Sequence, residues 1–401
     1  MKLNKSLCTG CGYCVLVCPY DALKTDGWAE VIPQNCTDCN LCVYACPNDC
    51  FIPDAPLKPY RPRIADEYEV SIIGSGIGGL MAGAALAQAG YSVAVFEKLG
   101  FPGGRYTEID YKSAAVTTGA WTNLGPNSHI GRFLADLQLD IDYVSLKAAG
   151  LTEQYSIRFP DGRRYSSLFD LVSAAGRKTW LKAILSGKRQ LEAGDPALDH
   201  ISAADYVAAF SQEANLLAAV DAIAATASGL SSRAMPASEY IQITLDGRTA
   251  GQDFAMPAGG VRSIVKALVT SLRQAGGALF LRSPVAAISV EAGRAVGVQL
   301  AAGRRVRSRF VLHNGGPRAL IHLVGPDHLP ADYVTRLTHL TGVECAALFC
   351  ATREPLFTEA PITMTPQCRR VVGIFSPTRL NPSLAKNGLH LFDAFFPTYS
   401  D

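Results

Sequence analysis

Eight cysteines repeat one spacing twice: Cys8, Cys11, Cys14 and Cys18-Pro19, then Cys36, Cys39, Cys42 and Cys46-Pro47. A C-x-x-C-x-x-C-x-x-x-C-P run presents soft thiolates to iron, and two such runs suit a pair of 4Fe–4S clusters. Two-residue gaps let three successive sulfurs of a tight loop point inward, and the fourth thiolate of each cube comes from the other run. The expected ligand sets are therefore Cys8, Cys11, Cys14 with Cys46, and Cys36, Cys39, Cys42 with Cys18. The chemistry of such a site is one-electron transfer. A zinc site or a disulfide framework is the competing reading, but zinc sites use pairs of C-x-x-C rather than two runs of four, each closed by proline. Cys50 falls outside the pattern and reads as a spare thiol.

Residues 1–50 closely resemble bacterial two-cluster ferredoxins, and that resemblance implies a small α+β domain. Pro53, Pro56, Pro59 and Pro62 follow at intervals of three, so residues 51–67 read either as a semi-rigid polyproline II spacer or as a plain proline-rich junction.

A second chemical motif starts at the end of an apolar strand, Val70-Ser71-Ile72-Ile73, which runs into Gly74-Ser75-Gly76-Ile77-Gly78-Gly79. A helix follows, with Leu80, Ala84, Leu86 and Ala87 on one face, then a strand Ser92–Phe96 closed by Glu97. This order is the start of a βαβ dinucleotide fold. Gly74 allows the tight turn, Gly76 lets the backbone approach a pyrophosphate, and Gly79 lets helix and strand pack closely. The helix N-terminus offers free N–H groups to phosphate, and Glu97 is placed to accept bonds from ribose hydroxyls.

The next residues, Lys98 and then Phe101-Pro102-Gly103-Gly104-Arg105, turn the reading from nicotinamide to flavin. Here the chain resembles the flavoprotein superfamily of phytoene desaturases, carotenoid isomerases and amine oxidases. That resemblance implies an FAD site using the glycine turn, Glu97, Lys98, Gly103, Gly104 and Arg105. A later block strengthens it: Met256-Pro257-Ala258-Gly259-Gly260, a helix from about Arg262 to Gln274, a strand opening at Val285, an alternating hairpin, and Phe310–Asn314. In the family the strand around Val285 meets the adenine through its backbone.

The expected fold class is α/β. A Rossmann-type FAD-binding domain (68–150 and 251–330) carries an inserted α+β substrate domain (151–250 and 331–401), and the small ferredoxin domain stands in front. Residues 168–230 read as mostly helical. In the resembling family such helices shape a tunnel for a long apolar substrate or lie against a membrane surface; plain helical packing explains them equally well. The family usually carries a second flavin motif near its C-terminus, a glycine-rich turn before a helix. No Gly-Asp followed by such a turn occurs after residue 330, so the substrate domain is expected to be incomplete, with the flavin site completed elsewhere or degenerate.

Composition bounds the remaining possibilities. The formal net charge of the 401 residues is +2, which gives no case for nucleic acid. Oxygen-sensitive clusters beside free thiols point to a reducing, cytoplasmic interior. The Ala-rich stretch Leu216–Leu230 is the nearest approach to a membrane helix, and Asp221 interrupts it. His129, His200, His313, His322, His339 and His390 are scattered without ligand spacing, and no catalytic acid or base is named. The expected activity is electron passage between two 4Fe–4S clusters and FAD, acting on C=C or C–C bonds of an apolar polyene or isoprenoid. The partners would be that substrate and an electron-donating or -accepting protein or small redox carrier. The alternative is an electron-transfer subunit that serves a partner enzyme and has no substrate of its own.

Overall fold

The computed structural model describes residues 1–398 except 19, 54–62, 112–113, 121–124, 251–253, 341 and 386–387. The chain forms two compact units. The first takes Met1–Asn123, Arg132–Asp142 and Gly259–Leu340; the second takes Leu124–Gly131, Tyr143–Ala258 and Thr341–Asp401. Most of the proline-rich junction lies outside the described residues.

The first unit is organised by a six-stranded sheet. Its strands are β1 (Glu67–Ile73), β2 (Val93–Phe96), β3 (Ala278–Phe280), β4 (Val285–Glu291), β5 (Arg294–Leu300) and β6 (Arg305–His313), in the spatial order β3-β2-β1-β6-β5-β4. β3, β2, β1 and β6 are parallel, with Ile73 opposite both Phe96 and His313; β4, β5 and β6 form an antiparallel meander. All four residues of β2 are buried, as expected for a parallel strand covered on both faces. Helix α1 (Ile77–Gln88) follows the glycine turn and buries Leu80, Gly83, Ala84 and Ala87. A Cβ at Gly83 would sit 3.1 Å from Val95 and 3.5 Å from Ile72 and Leu272, so small residues let the helix lie close on the sheet. Leu272 belongs to α2 (Val261–Gln274), whose apolar positions Val261, Ile264, Val265, Leu268 and Leu272 recur at helical spacing and are buried.

The cysteine-rich stretch belongs to this same unit and is a tandem repeat in backbone as well as sequence. Short helices Tyr13–Val17 and Leu41–Ala45 each begin after a left-handed residue, Gly12 or Asn40. Gly10 and Asp38, and again Asp21 and Asp49, take left-handed φ at equivalent places. Lys2–Leu3 pairs with Phe51–Ile52, and Leu23–Thr25 with Ala29–Val31. The apolar core beneath is small: Leu23, Ala29, Val43 and Phe51, together with Cys14, Cys46 and Cys50. Cys50 is buried there, its N–H directed at Cys46 Sγ.

The second unit contains a mixed six-stranded sheet in the order 164–165, 155–158, 362–364, 373–375, 390–398, 344–352. Asp161 and Gly162 turn the hairpin that pairs Ile157 with Tyr165. The region 168–230 is helical over Leu168–Leu171, Ala174–Glu192, Ala203–Ala208 and Ala214–Ser228. Asp221, the one acid of the Ala-rich helix, accepts bonds from both the N–H and the hydroxyl of Ser232, so it fixes the chain beyond the helix. Tyr240 is fully buried and takes a hydrogen bond from Trp180 Nε1 at 2.9 Å. Unit boundaries differ from the sequence expectation because Tyr143–Ser145 pairs with Ala255–Pro257, drawing both segments into the second unit. Helix Ala331–His339 stays with the first unit, where Arg318 donates to the carbonyl of Leu337. Among the described residues no helix is long and apolar enough to cross a membrane.

Candidate functional site

The glycine turn sits where strand order places it, at the carboxyl end of β1 between β2 and β6. Gly74 has φ +96°, which disfavours a side chain, and a Cβ at Gly79 would run into the Gly74 carbonyl oxygen. Gly76 caps α1 with no side-chain hydrogen bond, and the helix has no acid in its first turn. The N–H groups of the first turn, beginning at Ile77 and Gly78, thus carry no side-chain cap, and the helix dipole favours an anion there. Gly103 bridges Gly76 and donates to the carbonyl of Ser75 at 2.8 Å. Gly104 has φ +57°, and a Cβ there would approach Gly76 Cα at 3.6 Å. The two glycine segments form one cradle of bare backbone that side chains would fill, and this fits a dinucleotide diphosphate.

Glu97 is buried and already well bonded. One carboxylate oxygen accepts from the Ser75 N–H and hydroxyl, each at 2.8 Å, and the other from the Leu99 N–H at 2.8 Å. Its first structural task is to fold the glycine turn against the loop after β2, and carboxylate lone pairs remain for a ribose. Glu97→Gln turns one acceptor into a donor facing an N–H. It is expected to lower unfolding free energy by about 2 kcal/mol; an unchanged urea midpoint would contradict this role.

Lys98 and Arg105 are both exposed. Val285 opens β4 two residues after Ser283, whose N–H donates to the Glu97 carbonyl at 2.7 Å, so the predicted adenine strand and the predicted ribose acid are neighbours. Asn314 was not singled out by its sequence context. Its amide would lie 2.9 Å from a Cβ at Gly76 and 2.8 Å from one at Gly78, so it walls the cradle from the β6 side. The signal was faint: a polar residue ending an apolar strand.

The cysteines line two cavities. One is bounded by Cys8, Cys11, Cys14 and Cys46, with Cys50 also in its wall, the other by Cys18, Cys36, Cys39 and Cys42. In each set one sulfur has crossed over from the other run. Ala22 and Cys50 direct equivalent N–H groups at Cys18 and Cys46, at 3.3 Å each, and Ala29 directs its N–H at Cys8 at 3.2 Å. Burial pushes the Cys42 thiol up to about 12, with Cys39, Cys18 and Cys36 adding to the effect. Burial likewise raises Cys14 and Cys11, and neighbouring sulfurs add to both. In such a nest the sulfurs rest as neutral thiols, and bound cationic centres would be needed to hold them as thiolates. Among the described residues no group of three or more such side chains closes tightly enough for a single metal ion. A cube differs from a single-ion site in placing its four thiolates on four separate irons.

Two contacts carry the cysteine loops onto the loop after β2, residues 97–105, the predicted nucleotide loop. Tyr13, between Cys11 and Cys14, stacks on Phe101 with ring centroids 3.8 Å apart and planes 11° from parallel. Gly100 lies against Ala45, the residue before Cys46. Lys266 of α2 also pairs with Asp21. In the second unit, a cavity of about 290 Å³ is lined by Leu356, Phe357, Leu391 and Phe392, with Arg379 and His390 among its polar groups.

A mixed sheet with a parallel βαβ core and a glycine cradle, joined to a tandem cysteine nest, defines a flavin-dependent oxidoreductase that carries 4Fe–4S binding motifs. The chain belongs to the flavin containing amine oxidoreductase family, whose profile matches residues 77–391. Profiles of 4Fe–4S binding domains match residues 1–24 and 33–49. The zeta-carotene-forming phytoene desaturase of Myxococcus xanthus is 27% identical over 64% of this chain and 55% of its own. The chloroplastic prolycopene isomerase of Daucus carota is 26% identical over 62% of this chain and 46% of its own. The match therefore spans about half the length of these relatives. A crystal structure of an oxidoreductase from Methanosarcina mazei superposes with a TM-score of 0.71 at 25% identity, covering 82% of this chain and 79% of that one.

Proposed function

We propose that this protein passes electrons between two 4Fe–4S clusters and FAD, and acts on C=C or C–C bonds of an apolar polyene or isoprenoid by reduction, isomerisation or desaturation. The observation that carries the reading is the stack of Tyr13, flanked by two of the cysteines, on Phe101 of the nucleotide loop. The eight cysteines would hold the clusters. The glycine turn and the N-terminus of α1 would take the diphosphate, Glu97 the ribose, and the Val285 strand the adenine. When bound, a flavin supplies the link between one-electron carriers and two-electron chemistry at carbon. The chain's own residues bind, orient and exclude water. The apolar substrate class is supported by the desaturase and isomerase relatives.

The test begins with anaerobically purified protein, measuring iron, sulfide and released flavin per chain and the spectrum before and after dithionite. About eight irons and about one FAD are expected. The reduced protein is then offered polyprenoids of several lengths, and lost or isomerised double bonds are sought by chromatography; new double bonds are sought with the oxidised protein and an added electron acceptor. Full cofactor content, no product from any of them and co-purification with a large enzyme would replace this reading with that of an electron-transfer subunit. Iron without flavin would overturn the flavin half of the reading.

A further inference from the structure

We propose that the two cysteine sets are unequal: Cys8, Cys11, Cys14 and Cys46 form the inner set, coupled to the nucleotide loop through Tyr13 and Phe101, and Cys18, Cys36, Cys39 and Cys42 form the outer set, which exchanges electrons with an external one-electron carrier. This rests on the reading that the cysteines hold clusters. The repeat makes the asymmetry visible, because each position has a twin in the other half. Tyr13 corresponds to Leu41: Tyr13 stacks on Phe101 of the nucleotide loop, whereas Leu41 lines the outer cavity. Ala45, against Gly100, corresponds to Val17, which is buried in the first helix of the cysteine region. Both packed contacts therefore come from segments adjoining inner-set cysteines.

Exposure runs the other way. Cys14 and Cys46 are buried, whereas Cys39 is the one exposed member of the eight, and Thr37 and Asp38 beside it are exposed too. The Lys266–Asp21 pair lies near Cys18, but its side chains are 43% and 67% exposed, so it orients the two parts through solvent rather than packing them. Electron exchange weakens steeply across gaps, so packed rings on the inner side and an open loop on the outer side set a direction. Each transfer moves one electron and no atoms. Two transfers from the external carrier, with two protons from solvent, balance a two-electron flavin reduction.

Tyr13 is then a positioning residue, and the test is made on the reconstituted holoprotein. Iron released to a strong ferrous chelator is expected in two phases of about equal size. Tyr13→Leu and Phe101→Leu are expected to raise the slow phase about tenfold and leave the fast phase alone, since loss of an aromatic contact eases local opening. Leu41→Ala is expected to raise only the fast phase. After flash reduction, the two ring variants should bleach flavin several-fold more slowly than wild type, with unchanged cluster spectra and flavin content. Single-phase release, a response of the fast phase to Tyr13→Leu, or wild-type behaviour of both ring variants would overturn the assignment. Loaded clusters without any flavin would fail the proposed function instead, while the iron-release arm would still decide between inner and outer sets.

Discussion

Replacing Cys46 by alanine is expected to remove about half of the iron and to give the same spectral change as Cys14→Ala, not that of Cys42→Ala. The comparison is sharp because Cys42 and Cys46 lie in one run, on or just after the same short helix, Leu41–Ala45. By sequence proximity they would share a cluster. The cavities divide them: Cys46 faces Cys8, Cys11 and Cys14, and Cys42 faces Cys18, Cys36 and Cys39. Loss of a cluster should also loosen the cysteine region, because its apolar core is only a handful of residues and bound iron would supply much of its closure. Iron and sulfide per chain, low-temperature spectra and limited proteolysis read all of this. Matching spectra for Cys42→Ala and Cys46→Ala, with Cys14→Ala different, would sink the crossed partition.

The second large effect is expected at Gly79. Gly79→Val puts a branched side chain where a bare α-carbon now faces the Gly74 carbonyl, and the obstacle is backbone that cannot rotate aside. The turn must open, and β1 and α1 lose their close approach. Stability should fall by about 3 kcal/mol, and flavin should be retained in less than about a tenth of the chains. Gly78→Ala is the control. It is exposed, and its added methyl meets only the Asn314 side-chain amide, which can swing away. Flavin released per chain and the urea midpoint should therefore separate the two variants clearly. Full flavin retention in Gly79→Val would show that the glycine cradle does not hold the cofactor.

Motif identity and element order were legible without coordinates because both depend on local chemistry. The cysteine runs, the glycine turn between β1 and α1, Glu97 at the end of β2 and the α2 periodicity are all short-range patterns. Backbone sterics and helical or strand repeat fix such patterns within a few residues. An Asp-Gly pair between short strands is a hairpin signal of the same local kind, and Asp161-Gly162 turns one here.

What the sequence could not decide is which residues meet across long separations. That Glu97 spends three acceptor sites on Ser75 and Leu99, and that Asn314 walls the cradle, follow from the parallel registry of β1, β2 and β6. The boundary at Tyr143 moved because a strand found its partner more than a hundred residues away, at Ala255–Pro257. The inequality of the two halves of the cysteine repeat is the sharpest instance. Their sequences announce near-equivalence, and only packing, which sets Tyr13 against Phe101 and leaves Cys39 open to solvent, distinguishes them. Local spacing determines what a residue can bind. Burial and neighbours, which are properties of the whole folded chain, determine where its chemistry is directed.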